Sequence, residues 1–201
     1  MKRKNLQFAD GTRIWINSQS KLAYPRTFNG STRNIYVQGE VYAEVAHNEA
    51  SPFIVSANDF DLTVLGTKFN ITSYKSTNLS DIVLVEGSVE VRDKNNQTTR
   101  LLPNDLLSIK DGSVYQQQQV DTEGYTSWIN GLLILKGEKL SVITQKLSLY
   151  LGVNIHCDPS IADKKIWGKL DLKDELYDML MCMPIPIKIQ NIDNEFYIKE
   201  K

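Results

Sequence analysis

Apolar and polar positions alternate through the first hundred residues, and Gly, Asn, Asp or Pro interrupts them about every 8 to 12 residues. Side chains in a strand point to opposite faces in turn. Ile14 and Ile16 therefore share one face with Trp15 on the other, and Ile35 and Val37 oppose Tyr36 in the same way. Val41, Ala43 and Val45 form the buried face of a half-buried strand, which leaves Glu40, Tyr42 and Glu44 on a solvated one. Residues 82–85 are apolar without a break, as a strand covered on both faces requires. Gly87 ends that run, Val89 and Val91 resume the alternation, and Asn95-Asn96 predicts a hairpin into residues 98–102 because Asn tolerates positive φ. Short strands at this spacing predict an all-β sandwich, jelly-roll-like, over residues 1–120. Gly39, Gly66 and Gly87 each stand alone beside a strand, where glycine marks a bend or a close backbone approach. None belongs to a phosphate loop, which needs a glycine-rich stretch running into Lys-Ser/Thr.

The period changes after Gln116-Gln117-Gln118-Gln119. That tetraglutamine and residues 120–124 have the composition of a polar connector to a second domain, 121–201. Residues 128–135 read as a strand leading into a helix. Leu140, Ile143, Leu147, Tyr150 and Leu151 then recur at helical spacing, and Gly152 supplies the left-handed residue that closes a helix. Residues 153–155 and 165–170 read as strands, the second with Ile166, Gly168 and Leu170 facing away from Trp167. Asp171 is the expected N-cap of a second helix, whose buried stripe is Leu172, Leu176, Leu180 and Met183. Pro184 and Pro186 end it. Two last strands, 187–190 and 196–198, meet at Asp193-Asn194. The order β-α-β-β-α-β-β predicts a small α+β domain with its helices packed on a sheet.

Composition then narrows what such a chain does. Of 201 residues, 41% are hydrophobic, and 23 basic against 24 acidic side chains leave a net charge of −1. That balance excludes the electrostatic footprint of a nucleic-acid binder or a protein held on an anionic membrane surface. No apolar run approaches the roughly 18 residues of a membrane span. Met1-Lys2-Arg3-Lys4 leads to Leu6 and Phe8 without the apolar core of a signal peptide. Cys157 and Cys182 have no metal-ligand spacing, and two small buried thiols are expected instead of a bridge. His47 and His156 fall in different halves, with no ligand cluster beside either. Glu40 and Glu44 share a strand face but stand roughly 13 Å apart, beyond the roughly 5 to 9.5 Å of glycosidase pairs. No serine sits in a Gly-x-Ser-x-Gly turn. No catalytic, cofactor or metal residue is assigned, and the chain reads as a non-enzyme. Tyr24, Phe28, Tyr36 and Tyr42 suggest a platform for sugar rings, although strand propensity and cross-strand packing account for them better.

Four phrases occur in order: Asp10-Gly11-Thr12-Arg13-Ile14-Trp15-Ile16-Asn17, Gly39-Glu40-Val41-Tyr42-Ala43-Glu44-Val45, Val64-Leu65-Gly66-Thr67-Lys68-Phe69-Asn70 and Leu84-Val85-Glu86-Gly87-Ser88-Val89. Together they resemble the extracytoplasmic part of the FecR family of membrane-spanning anti-sigma regulators. Two positions depart from that pattern, Ala9 where the family usually has proline and Asn104 where glycine is common, and both keep turn chemistry. The segment from Trp128 to Gly131, the helix after it, Gly152-Val153 and the closing helix with its hairpin are similar to the C-terminal domain that accompanies FecR domains in Bacteroidetes-type sequences. That domain is in turn similar to the short N-terminal domain of secretins and TonB-dependent transducers.

The resemblance implies the periplasmic portion of a regulator anchored in the inner membrane, with its transmembrane span and its sigma-binding cytoplasmic segment absent from this chain. It implies a signal received from the N-terminal signalling domain of a TonB-dependent outer-membrane transducer and relayed to an extracytoplasmic-function sigma factor. The imported ligand in such systems is an iron chelate or a glycan. Neither cofactor nor nucleic acid takes part. Contact through a sheet edge, which accepts a partner strand by main-chain hydrogen bonds, points to Ile166, Trp167 and Lys169 in one strand and Phe196 and Ile198 in the C-terminal one. The alternative is an extracellular or periplasmic carbohydrate-binding β-sandwich module, built on the exposed aromatics.

Overall fold

The computed structural model describes residues 3–201; Met1 and Lys2 of the basic opening lie outside the described residues. The chain gathers into two compact units that divide between Tyr125 and Thr126. Among the described residues no helix is long and apolar enough to cross a membrane.

The first unit is built from β1 (Lys4–Gln7), β2 (Arg13–Ile16), β3 (Lys21–Ala23), β4 (Arg33–Glu44), β5 (Phe53–Ser56), β6 (Phe60–Val64), β7 (Lys68–Ser73), β8 (Leu79–Glu86), β9 (Val89–Asp93), β10 (Thr98–Leu101), β11 (Asp105–Lys110) and β12 (Ser113–Gln119). They form one large curled sheet in the order β10-β9-β6-β5-β4-β7-β8-β11-β12, with β2 and β3 also on β4 and β1 on β2. The sheet is mixed, because β4 and β5 run parallel.

The joint of the sheet is β4. Its first half pairs with β3 and β5, and its second half, from Gly39 onward, pairs with β2 and β7. Gly39 lies inside the strand at φ 107°, and a Cβ there would stand 2.6 Å from Ser20 Cα. Only glycine combines that dihedral with that approach. Beyond the bend, side chains of both halves meet in one core. Ile35, Val37, Phe53, Leu62 and Val91 pack there with Val41, Phe69, Ile71, Leu84 and Leu107. Ile82, Val83 and Leu84 are all fully buried, and β8 lies between β7 and β11, as its unbroken apolar run requires.

Two expectations for this unit are corrected. Glu40 is 4% exposed and does not lie on a solvated face. It accepts from Asn17 Nδ2 at 2.8 Å, Asn70 Nδ2 at 3.2 Å and Thr72 Oγ1 at 3.4 Å. Tyr42 beside it is buried against Trp15. The covering residues come from β2 and β7, distant in sequence, so alternation within β4 cannot reveal them. Burial, and then the Glu40 charge, push the Tyr74 hydroxyl well above the usual tyrosine range; that hydroxyl donates to the Ser18 carbonyl at 3.0 Å. The second correction concerns Gln116–Gln119, which is no connector. These residues belong to the edge strand β12, paired antiparallel with β11. Gln117 and Gln119 both donate to Asp105. A polar strand that is solvated on both faces has a linker's composition, and only its ladder distinguishes it.

After one helical turn, α1 (Glu123–Thr126), the second unit runs through a 3-10 turn (Ser127–Asn130), β13 (Leu132–Lys139), α2 (Leu140–Leu151), β14 (Asn154–Cys157), β15 (Lys165–Asp171), α3 (Leu176–Met181), β16 (Ile187–Ile192) and β17 (Glu195–Glu200). The turn replaces the start of the strand expected at 128–135. It buries Trp128 and closes on Gly131 in the left-handed region. α2 buries Leu140, Ile143, Leu147 and Tyr150, and Gly152 ends it at φ 73°. Asp171 ends β15 and does not cap α3: its Oδ1 accepts from Lys173 N at 2.9 Å, while Glu175 holds the N-cap position. α3 is correspondingly short, yet Leu172, Leu176, Leu180 and Met183 are all buried. β13 and β15 form one antiparallel pair. A second sheet has the order β14-β17-β16, with β14 parallel to β17. Asp193 and Asn194 both take positive φ in the tight turn joining β16 to β17.

Candidate functional site

The residues expected at a partner-binding edge fall in two different sheets. Ile166, Trp167 and Lys169 lie on β15, which pairs with β13 alone and keeps its other edge unpaired among the described strands. Burial there alternates except at Gly168, which is exposed on the face of Ile166 and Leu170. Ile166 and Leu170 are buried, while Trp167 is 63% exposed and Lys169 is also exposed. The Trp167 ring lies across β13 at Gly137, where a Cβ would stand 2.9 Å from ring atom Cζ2. Gly137 has φ 97° and sits where the register slips by one residue between Lys136 and Glu138. The bulge thus seats an indole that keeps most of its surface in solvent, beside a row of unpaired main-chain groups.

Phe196 and Ile198 are corrected. They lie on β17, the middle strand of its sheet, where Phe196 faces Ile155 on one side and Asn191 on the other, and Ile198 faces Cys157 and Ile189. Both edges are occupied and Ile198 is fully buried, so no strand can be added there. The parallel β14–β17 pairing joins segments some forty residues apart, and local pattern reading is blind to it.

The phrases singled out in the sequence converge at one corner of the first unit. Asp10 accepts from the Thr12 amide at 2.9 Å and the Thr12 hydroxyl at 3.0 Å, and it pairs with Arg33 Nη1 at 2.8 Å. Burial opposes the charged form of Asp10, but hydrogen bonds from Arg33 and Thr12 outweigh it and hold the carboxyl below its ordinary range. Arg33 also donates to the carbonyls of Ser51 and Ala46 and lies over the Phe53 ring. Val45 donates to Thr67 O, Thr67 donates to Ser88 O, and a Cβ on Gly87 would meet Gly66 O at 2.9 Å. On the surface Arg13 pairs with Glu44 and Lys68 with Glu86. The shallow groove among Gly11, Arg13, Glu44, Gly66, Lys68 and Glu86 is therefore lined by charges already matched to each other. The corner is held together by its own hydrogen bonds and ion pairs.

Other candidate chemistry stays dispersed. Among the described residues no three His, Cys, Asp or Glu side chains are grouped to hold a metal ion. His47 is exposed beside Glu49, and His156 stacks on Tyr197 and meets Glu195 at 3.2 Å. The aromatics do not form one platform: Tyr42 is buried, Phe28 packs edge-on against Phe8 and Phe53, and Tyr36 donates to Asn58. Cys157 and Cys182 are free thiols, and Cys182 at the end of α3 is exposed, contrary to the expected burial. The helix ends before its last turn can cover it. Burial, and then Asp158, raise the Cys157 pKa. Iodoacetamide should therefore alkylate Cys182 well before Cys157, because the thiolate is the reactive form; peptide mass mapping over a time course checks this, and first labelling at Cys157 would contradict it.

Residues 1–90 match the family model described as FecR protein. No curated protein matches the chain significantly. Two crystal structures, at 1.65 and 2.50 Å resolution, of a protein of Parabacteroides distasonis ATCC 8503 assigned as an anti-sigma factor superpose with TM-scores of 0.84 and 0.83. Each has 25% sequence identity to this chain and covers all of it, over 95% of its own length. The motif phrases, the family match within the β-rich unit and the full-length structural likeness lead to one conclusion: residues 1–90 are similar to FecR proteins, and the whole chain is similar in structure to a protein assigned as an anti-sigma factor.

Proposed function

We propose that this chain is the periplasmic, signal-receiving portion of an inner-membrane FecR-like regulator. It relays a signal from a TonB-dependent outer-membrane transducer to an extracytoplasmic-function sigma factor, which a cytoplasmic segment outside this chain would bind. The observation that carries this reading is the likeness to the Parabacteroides anti-sigma structures over the full length of this chain, in both units. In this reading residues 1–120 form a FecR-like, jelly-roll-like sandwich, and residues 121–201 form an α+β domain akin to the short N-terminal domain of secretins and TonB-dependent transducers. The free edge of β15 receives the transducer's signalling domain by strand addition, with Trp167 as the anchoring side chain and Lys169 beside it. No chemistry is required. A transducer conformer shifts the regulator by as much as it prefers one of its states over the other.

The test is calorimetric titration of the full chain with the N-terminal signalling domain of the transducer encoded nearby. Wild type should bind with one-to-one stoichiometry, and Trp167→Ala should weaken binding about tenfold or more, the range of an aromatic anchor. Its melting temperature should barely move, because the ring is mostly solvated. No binding by wild type, or equal binding by Trp167→Ala and Lys169→Glu, would overturn the reading.

A further inference from the structure

β12 presents the longest uncharged strand edge among the described residues. Of the strands with a free edge, β1, β3, β10, β13, β15 and β16 all carry ionised side chains, and β14 has four residues. β12 has seven, Ser-Val-Tyr-Gln-Gln-Gln-Gln, without a charge or a proline. Proteins usually guard a long edge with one or the other. One bulge is present, since Ser108 faces Gln116 while Ile109 faces Val114, leaving Tyr115 as the extra residue. Beyond it, residues 116–119 pair regularly and all four side chains are exposed.

The direction of the free groups follows from the ladder. Val120 N donates to the Asn104 carbonyl at 2.9 Å. Main-chain groups of an antiparallel strand alternate in direction, so the N–H and C=O of Gln117 and Gln119 point away from β11. Their side chains are held on one face by Asp105, and on the other face Gln116 donates to Gln118 at 2.9 Å. Beyond the bulge the strand is thus regularly paired, free of charged side chains, and its glutamines are held by hydrogen bonds.

We propose that β12 pairs antiparallel with β12 of a second copy of this chain, about a two-fold axis through Gln118. Gln117 of each copy then faces Gln119 of the other, which gives about four main-chain hydrogen bonds and joins the two sheets edge to edge. A second copy is the fitting occupant because identical uncharged glutamine rows are complementary to themselves. The strand itself carries no charge for a charged partner strand to pair with, the neighbouring Asp105 carboxylate being engaged by Gln117 and Gln119, and two copies bring no like charges face to face across the new pair.

Sedimentation equilibrium of the full chain up to about 1 mM should show the mean mass rising from 22.9 kDa toward twice that value. Gln117→Pro removes an outward N–H while leaving the β11 ladder intact, and should weaken association at least tenfold. Gln118→Lys and Gln118→Glu should each stay monomeric, since like charges meet at the axis, while an equal mixture of the two should dimerise. A wild type that stays monomeric throughout, a Gln117→Pro variant as dimeric as wild type, or a mixture no more associated than its components would each overturn the proposal.

Discussion

Asp10→Ala is expected to cost the first unit about 3 kcal/mol, because it strands a guanidinium that has almost no access to water. The Arg33 side chain is 3% exposed, and Asp10 is its carboxylate partner. Its Nη2 finds no acceptor among the described residues, so the remaining contacts, to Ser51 O, Ala46 O and the Phe53 ring, cannot absorb the lost charge. Asp10→Asn should cost less, since it keeps an acceptor for Thr12. Glu44→Ala, which breaks the exposed pair with Arg13, should stay within about 1 kcal/mol. The pH dependence has a definite sign. The folded pKa of Asp10 lies below its unfolded value of about 3.9, so its stabilisation is complete above that value and is lost as pH falls through the folded pKa. Urea unfolding of the first unit should therefore show the gap between wild type and Asp10→Asn narrowing below about pH 4. A gap that is constant or widens on acidification would show that the pair is not the source of the effect.

Gly39→Ala is expected to destabilise the same unit by about 3 kcal/mol or more. Two penalties combine: a φ of 107° that alanine rarely adopts, and a methyl group 2.6 Å from Ser20 Cα. Backbone strain of this kind costs roughly 1–3 kcal/mol, and overpacking adds a similar amount. The contact is with backbone that cannot retreat freely, because Ser20 Oγ accepts from the Glu40 amide at 2.8 Å and donates to the Glu40 carbonyl at 3.1 Å. Gly124→Ala is the matched control, with nothing within 4 Å of its added Cβ, and should be within about 0.5 kcal/mol of wild type. Equal stability of the two variants would mean that β4 can pass between its two sets of partners without the bend.

How far the site was legible depends on the length scale of its signals. Trp167 and Lys169 could be placed on one face of a strand because alternation is a local property, and the sequence pattern at 165–170 matches β15 closely. Which strand has a free edge is a property of the ladder. β15 has one and β17 has none, a difference that no local pattern carries. The glutamines of 116–119 failed in the opposite sense, since a solvated edge strand and a linker share a composition and differ only in whether β11 lies beside them. Cys182 and Asp171 were misplaced together, because α3 starts later than the helical spacing of Leu172 suggests and ends before it covers the thiol.

The sequence by itself determined most of the strands of the first unit, helix α2, the turn positions Gly152, Asn96 and Asp193-Asn194, and the family phrases, since each depends on neighbours within a few residues. Tertiary structure alone decided that Glu40 is buried under Asn17 and Asn70, that one strand serves both halves of the curled sheet, and that β4 runs parallel to β5 and β14 to β17. It also decided which edges stay open to a partner. Those outcomes follow from pairings between residues far apart in the chain, whose energies arise only once the core has brought the strands together.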